Sequence, residues 1–468
     1  MDNKFKNEKN FLSSYPDSIS GVFDEKNIVL TFPVFSDIHL SGNDEHEGYF
    51  RSHMRFVRAI KHSKKYSVNN HLDLVCVAGD LGTCTNAPSI VTYGTEKSPG
   101  TQEEQYAIQS RRERENLLRG LLDTKDYYDK FFYCLGNHDG GGEKATSCIE
   151  YLSGKNKENF QFFYGDDLDA QALYLGNRHI KVKNYNFLAL TPYPTFEDFD
   201  WLKEKLDAII EQNPTQTIFL LHHFRPNAMT FLSDGYGFEI RSFLENYPQV
   251  IVFGGHTHTY VDFDNAIMQS ENGFISVDAG SVRYIRGDWI VSKDKAAALN
   301  VRYRDIIINS TGLLVEVDVE GNIRIGRYNY LLDAKVGSSW VIPKLKSDGS
   351  RQLLYTKERE RSRIKPIFSK GQSKCESQQN LLRITFPAAY SYQKIYNYKI
   401  EIIDNEKGEK VKSLYLSSLF YKYPTPADMP REYSIDIELE SPFSNDYTIE
   451  ITAADSWGNI SEPLVFKG

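Results

Sequence analysis

Apolar residues fall in short consecutive runs through the first part of this 468-residue chain, at 28–35, 72–78, 131–135, 187–190, 218–221, 250–253 and 274–277. Positions that are apolar in succession predict strands covered on both faces. Between these runs Phe50, Met54, Val57 and Ile60 recur at helical spacing. Phe199, Leu202, Leu206 and Ile209 do the same and stop before Pro214. Strands interleaved with helices predict an α/β domain built on a central sheet. The stretch 313–330 reads as a β-hairpin turning at Glu320-Gly321-Asn322, which closes that domain.

From Asn380 onward the pattern changes to strict alternation. Tyr396, Tyr398, Ile400 and Ile402 form one set, Tyr433, Ile435, Ile437 and Leu439 a second, and Tyr447, Ile449, Ile451 and Ala453 a third. Such period-two strands, separated by turn signals at 405–408 and 457–459, predict an antiparallel β-sandwich of immunoglobulin-like or fibronectin-like type. Between the two parts, residues 344–374 hold ten Lys or Arg against three acids. The alternation Glu358-Arg359-Glu360-Arg361 marks a solvated face, so an exposed, partly helical connector is expected, with an anion-docking strip as the alternative. The chain is therefore expected to divide into an α/β domain over 1–335, a basic linker over 336–380 and an accessory sandwich over 381–468. That sandwich either docks on the first domain or binds a partner.

Composition narrows the functional classes. With 40% hydrophobic and 25% charged residues the chain is neither disordered nor a disulfide-stapled miniature. A net charge of −8 argues against a dedicated binder of nucleic acid or anionic membrane. No apolar run reaches the roughly 18 residues a membrane span needs, and the polar start lacks a signal-peptide core. The five cysteines (Cys76, Cys84, Cys134, Cys148 and Cys375) show no Cys-x-x-Cys spacing, and two sit inside apolar runs. They read as packed thiols, with a reducing cytoplasm as the expected location.

The chemistry-bearing residues collect where apolar runs end. Ser36-Asp37-Ile38-His39 follows the first run, Gly79-Asp80 the second and Gly136-Asn137-His138-Asp139 the third. His222-His223 follows the run at 218–221, and Gly255-His256-Thr257-His258 the run at 250–253. Open α/β sheets bind ligands at the carboxyl ends of their strands, so one rim is expected to receive all these groups. Carboxylate, imidazole and amide donors together suit Mn, Fe, Co, Ni or Zn rather than an all-oxygen calcium site. They are too many, and too poor in thiolate, for a structural zinc. A set of this size suffices for two metal ions sharing one carboxylate, which suits phosphoester hydrolysis. Each motif alone is readable as a polar turn; their order and common placement point to metal.

This ordered series resembles that of the calcineurin-like metallophosphoesterases, over residues 28–332. Phe199-Asp200-Trp201-Leu202, Asp278-Ala279-Gly280-Ser281 and the closing hairpin are similar to segments of the cyclic-nucleotide phosphodiesterase-like branch. The resemblance implies a four-layer α/β/β/α sandwich and a dinuclear phosphohydrolase of small phosphoesters, with manganese or iron as the foremost metals. A phosphodiesterase is the first reading and a phosphomonoesterase, including protein phosphatase action, the second; a nuclease or an inactive scaffold stands behind both. The resemblance further implies that Asp37, His39 and His258 hold metal 1, that Asp80 is shared, and that Asn137, His222 and His256 hold metal 2. A hydroxide between the metals is then the nucleophile, with His138 at the leaving group.

The chain departs from the family pattern in three places. Thr83 stands where many members carry an Asp that orients the catalytic histidine. The His222-His223 pair lacks the usual following proline; His222, first after the strand, is taken as the ligand, and His223 as a supporting neighbour and candidate substrate contact. The polar stretch 83–112 is longer than a simple strand-to-helix link and is expected to wall the pocket. Arg225 and Arg283, close after strand ends, are candidate phosphate contacts, with surface ion pairs as the plainer reading. Asn43 and His46 lie near the first ligand loop, and His53, His62, His71 and His179 read as structural. Gly140-Gly141-Gly142 lacks the Lys-Ser/Thr of a Walker phosphate cradle.

Overall fold

The computed structural model describes residues 21–40, 52–82, 116, 119–139, 177–226, 238–286, 306–361, 365–391, 394–438 and 446–467. Strand β1 (Ile28–Phe35) is enclosed along its last six residues, which explains its unbroken apolar run. It pairs in parallel with β2 (Val75–Ala78), and β2 with β3 (Phe131–Cys134). On its other side β1 runs antiparallel to β12 (Thr311–Asp318), which forms a hairpin with β13 (Ile323–Asn329) where one was expected. Strands β14 (Ala334–Lys335) and β15 (Trp340–Ile342) add to β13.

A second sheet has β5 (Tyr185–Ala189), β6 (Ile218–Leu221), β7 (Val250–Gly254) and β9 (Ile275–Asp278) in parallel. Antiparallel edges are supplied by β4 (Arg178–Val182) and β8 (Ile267–Gln269). Phe32, Val34, Cys76 and Phe132 of the first sheet share one buried cluster with Phe187, Phe219, Ile251 and Val277 of the second. Phe32 sits edge-on to Phe187 and Phe219 at 5.0 and 4.9 Å between ring centres. Helix α1 (Ser52–Tyr66) buries Phe56, Ala59 and Ile60 against Phe35, Val77 and Phe131 of the first sheet. Helix α2 (Phe196–Gln212) starts from a Thr195/Asp198 capping box. With α3 (Phe238–Leu244) it packs Leu202, Leu206, Ile240 and Leu244 on Leu188, Leu220 and Val252 of the second sheet. Among the described residues no helix is long and apolar enough to cross a membrane.

Short antiparallel pairs join β10 (Tyr284–Arg286) to β11 (Ile306–Ile308) and β16 (Ile367–Phe368) to β19 (Ala389–Tyr390). The C-terminal part also holds two larger antiparallel sheets. One holds β17 (Lys374–Gln378), β18 (Leu381–Pro387) and β22 (Glu432–Glu438). The other has the order β21 (Glu409–Ser417), β20 (Ile395–Asp404), β23 (Tyr447–Asp455), β24 (Leu464–Lys467). Tyr398, Ile400, Ile402, Tyr433, Ile449 and Ile451 meet in one core, as the alternation predicted.

The stretch expected as an exposed linker is built into the fold instead. Trp340 is fully buried in the central cluster. Arg351, also buried, donates from Nη2 to Thr217 Oγ1 (3.1 Å) and the Gln249 carbonyl (3.0 Å), and from Nε to the Pro248 carbonyl. The Gln269 amide donates to the Tyr355 carbonyl, and among the described residues of the stretch helix is confined to α4 (Glu358–Arg361). The basic count misleads at two positions, because the guanidinium groups of Arg351 and Arg359 donate to the carbonyls of Pro248, Gln249 and Ile267 beside the second sheet, whereas lysines such as Lys346, Lys357 and Lys370 are exposed. The expected boundary at 335 accordingly falls inside the first sheet.

Candidate metal centre

The backbone gathers the strand-end motifs before any side chain acts. The Asp37 amide donates to the Gly79 carbonyl (3.1 Å) and the His39 amide to the Asp80 carbonyl (2.9 Å), zipping together the turns after β1 and β2. The turns after β6 and β7 are joined in the same way by the Gly255 amide and the His223 carbonyl (3.0 Å). The Val282 amide donates to the Ser36 carbonyl across the two sheets (3.1 Å).

Two groups of donors result. In the first, His258 Nε2 lies 3.1 Å and His39 Nε2 3.6 Å from Asp37 Oδ1, and the two imidazole nitrogens are 3.2 Å apart. In the second, Asn137 Oδ1 is 3.0 Å from His223 Nε2 and 2.9 Å from His256 Nδ1, and His223 Nε2 is 3.2 Å from Asp80 Oδ2. Asp80 Oδ2 is also 3.7 Å from His39 Nε2, so its carboxylate stands between the groups. His138 packs edge-on to His39 at 4.8 Å between ring centres, and its amide donates to Asp80 Oδ1 (2.8 Å).

The structure thus brings Asp37, His39, Asp80, Asn137, His138, His256 and His258 together, but it reverses the expected order of the histidine pair. His223 faces Asp80 and Asn137, whereas His222 turns its Nδ1 to the Phe224 carbonyl two residues on. Consecutive residues leaving a strand point opposite ways, and the side that faces Asp80 belongs to the second of the two. The two arginines are enclosed. Arg225 is buried, with Nη1 2.8 Å from Asp278 Oδ2 and Nη2 donating to Thr257 Oγ1, between His256 and His258. Arg283 Nη1 donates to the His39 carbonyl (3.0 Å), so both arginines brace the turns that carry the cluster. Thr83, the stretch 83–112, Asn43, His46 and the three glycines at 140–142 lie outside the described residues.

Local conformation is unusual at this rim. Asp37, His39, Asp80, His256 and His258 all have positive φ, between 45° and 71°, a region that residues other than glycine enter at a cost. Strain of this kind collects where surrounding structure holds functional groups in place. Close approach also matters: a Cβ on Gly136 would lie 2.1 Å from Asp80 Oδ1. His223 Nδ1 donates to the Ala78 carbonyl (2.8 Å) and His258 Nδ1 to that of Tyr284 (3.1 Å), which leaves each Nε2 lone pair facing the centre.

Electrostatics agree with a cation-binding role. Asp37 and Asp80 are essentially fully buried. Burial works to raise Asp37, but His258, His39 and His223 overcome it and hold its carboxyl well below the usual range. Burial opposes the charge of Asp80 too, and His223 and His39 hold it below its ordinary value. The imidazoles respond unequally. Burial pushes His39 down to about 4, whereas for His223 the attraction of Asp80 outweighs burial and raises it to about 10. Asp139, which accepts from the Gly82 and Gly136 amides, is pushed up to about 7 by burial and by Asp80. Paired carboxylates in a dry site require positive charge, and metal ions among these donors supply it without imidazolium protons. Asp37, His39 and His258 present ligand atoms within 4.8 Å of one another, as do Asp80, His223 and His256, so the residues fit two ions.

Aromatic neighbours absent from the sequence reading complete the walls. Tyr284 stacks on His258 at 4.1 Å, and Phe224 lies 4.6 Å from His256, with the exposed Tyr193 against its far side at 5.3 Å. Their sole signal in the sequence is nearness to Arg283 and His223.

Comparison with known proteins adds the following. The model of the calcineurin-like phosphoesterases matches residues 30–260. No curated protein sequence matches. Among solved structures, a purple acid phosphatase from yellow lupin (Lupinus luteus) seeds aligns at 11% identity with a TM-score of 0.43. The alignment covers 71% of this chain and 57% of the lupin protein, so the chain spans little more than half of that relative. An endonuclease/exonuclease/phosphatase from Beutenbergia cavernae aligns at 8% identity and a TM-score of 0.11, over 62% of this chain and 66% of the other. Overlays this loose bear no weight for function. The motif series, the strand-end geometry and the family match converge: residues 30–260 belong to the calcineurin-like phosphoesterases, a family of dinuclear metal-dependent hydrolases.

Proposed function

We propose that the chain is a dinuclear metal phosphohydrolase of small phosphoesters, with phosphodiesters preferred. The observation that carries this reading is the Asp80 carboxylate standing between two donor groups. Asp37, His39 and His258 hold one ion, Asn137, His223 and His256 the other, and Asp80 is shared. Transition metals fit the mixed donors, with manganese or iron foremost. When bound, the ions lower the pKa of water and neutralise charge on phosphoryl oxygens. His138, half-buried and edge-on to His39, has a ring nitrogen within 4.8 Å of an Asp80 carboxylate oxygen and is placed to assist departure of the leaving oxygen. Asp139 ties the His138 turn to the Gly82 turn by accepting from the Gly82 and Gly136 amides. Phe224 and Tyr284 exclude water from the flanks.

The preference for diesters rests on the phosphodiesterase-like segment Phe199-Asp200-Trp201-Leu202. A nuclease is disfavoured by the net charge of −8, which gives no general attraction for a polyanion. A cytoplasmic location, the four-layer arrangement and the immunoglobulin-like character of the C-terminal part belong to the same reading. Clusters between the two large sheets and under the helices support the layering. The test compares turnover of bis-p-nitrophenyl phosphate and p-nitrophenyl phosphate after reconstitution with Mn²⁺. Faster diester turnover is expected; faster monoester turnover makes the protein a phosphomonoesterase. Asp80→Asn is expected to lose metal, and His138→Ala to keep metal and lose rate. Absence of metal from the reconstituted protein refutes the proposal.

A further inference from the structure

The segment that carries His256 and His258 leaves β7 of the second sheet. It continues through Tyr260, Asp262, Phe263 and Asn265 into contact with the C-terminal sheets. Lys394 Nζ, on the residue before β20, lies 2.9 Å from Asp262 Oδ2, with both side chains buried. The Lys394 ammonium stands 5.3 Å over the Tyr260 ring, and that ring meets Phe420 at 5.6 Å. Phe263 packs on Tyr396 at 4.4 Å, Tyr396 on Phe420 at 4.2 Å, and Asn265 Nδ2 donates to the Ser456 carbonyl (3.1 Å). Tyr396 and Phe420 are members of the central cluster between the two large sheets. Only three residues separate His258 from Asp262, so displacement of one is transmitted to the other. The backbone at His256 and His258, at φ 71° and 53°, keeps that conformation only where surrounding packing imposes it.

We propose that the C-terminal sandwich is part of the metal-holding machinery, with the buried Lys394–Asp262 ion pair as the clamp that positions His256 and His258. Lys394 is then a positioning residue, far from the reacting atoms. The inference rests on the dinuclear reading above and adds to it a dependence of metal affinity on a contact outside the phosphoesterase domain.

The test uses the full chain. Lys394→Met is expected to weaken Mn²⁺ binding, read by calorimetry, by at least about tenfold, the scale of a lost outer support of a metal ligand. The metal-free variant should exchange amide hydrogens faster over 255–266 and at an unchanged rate over 28–35. With saturating Mn²⁺, kcat should fall more than KM rises. Wild-type Mn²⁺ affinity and exchange in the folded variant overturn the proposal. Lys394→Met combined with Asp262→Asn removes both members of the ion pair together and is read in the same way if the single variant does not fold. A further measurement needs no variant, because coupling is reciprocal. In the unmodified protein Mn²⁺ should slow exchange over 394–396 and 418–421 as well as 255–266, and a response confined to 255–266 refutes the clamp. An unmodified protein that takes up no Mn²⁺ refutes the dinuclear reading itself.

Discussion

Replacing Gly79 by alanine tests the assignment of His223 without touching a donor atom. Gly79 has φ 88°, and a Cβ there would lie 2.4 Å from His223 Nδ1 and 2.7 Å from its Cγ. Ordinary contact begins near 3.4 Å, so the ring must retreat by about 1 Å. Retreat costs the buried bond from Nδ1 to the Ala78 carbonyl, about 1 kcal/mol. A non-glycine residue in the left-handed region adds about 1–2 kcal/mol. Urea unfolding of Gly79→Ala should therefore show a loss of about 2–3 kcal/mol. Gly458→Ala is the control: φ is 76° there and nothing lies within 4 Å, so it carries the backbone cost alone. Metal affinity should separate the two variants further. Ligand distances tolerate deviations of only about 0.2 Å, so a ring displaced by about 1 Å no longer serves as a ligand. Calorimetric titration with Mn²⁺ should show one of two sites weakened by at least about tenfold, ~1.4 kcal/mol, in Gly79→Ala and neither in Gly458→Ala. Two sites of unchanged affinity in Gly79→Ala would refute the placement of His223 in the centre.

The histidine pair makes a second, sharper contrast. His223→Asn should lose one bound ion and most turnover, whereas His222→Asn should retain both ions; metal content of the purified variants decides, and the opposite pattern restores His222 as the ligand. Metal removal supplies a third prediction. Ions that bind only the folded chain stabilise it by about 2.7 kcal/mol at a hundredfold excess over Kd, so chelation should lower the unfolding midpoint measured by calorimetry. No shift on chelation would count against a resident metal pair.

Much of the architecture was legible in the sequence because parallel strands enclosed on both faces must be apolar throughout. The ends of β1, β2, β3, β6 and β7 could thus be located, and with them the positions of Asp37, Asp80, Asn137 and His256. The choice between His222 and His223 was not legible, since it depends on how the chain leaves β6 and which side meets Asp80. The basic stretch misled for a different reason. A guanidinium such as that of Arg351 reads as solvated, yet three neutral acceptors supplied by Pro248, Thr217 and Gln249 enclose it. Those acceptors are backbone or distant in sequence, and charge patterning does not register them. Tyr284 and Phe224 were likewise invisible, because stacking on an imidazole follows from tertiary placement and not from spacing.

The left-handed backbone at Asp37, His39, Asp80, His256 and His258 sets the terms on which this centre can be silenced. Among side chains that still bear a Cβ, asparagine tolerates that conformation best. Alanine at these five positions removes a donor and penalises the turn at once, so a dead variant made that way confounds lost chemistry with a relaxed loop. Asparagine scanning keeps the turn and discards the imidazole or the negative charge, which makes it the cleaner way to ascribe a lost activity to the missing donor alone.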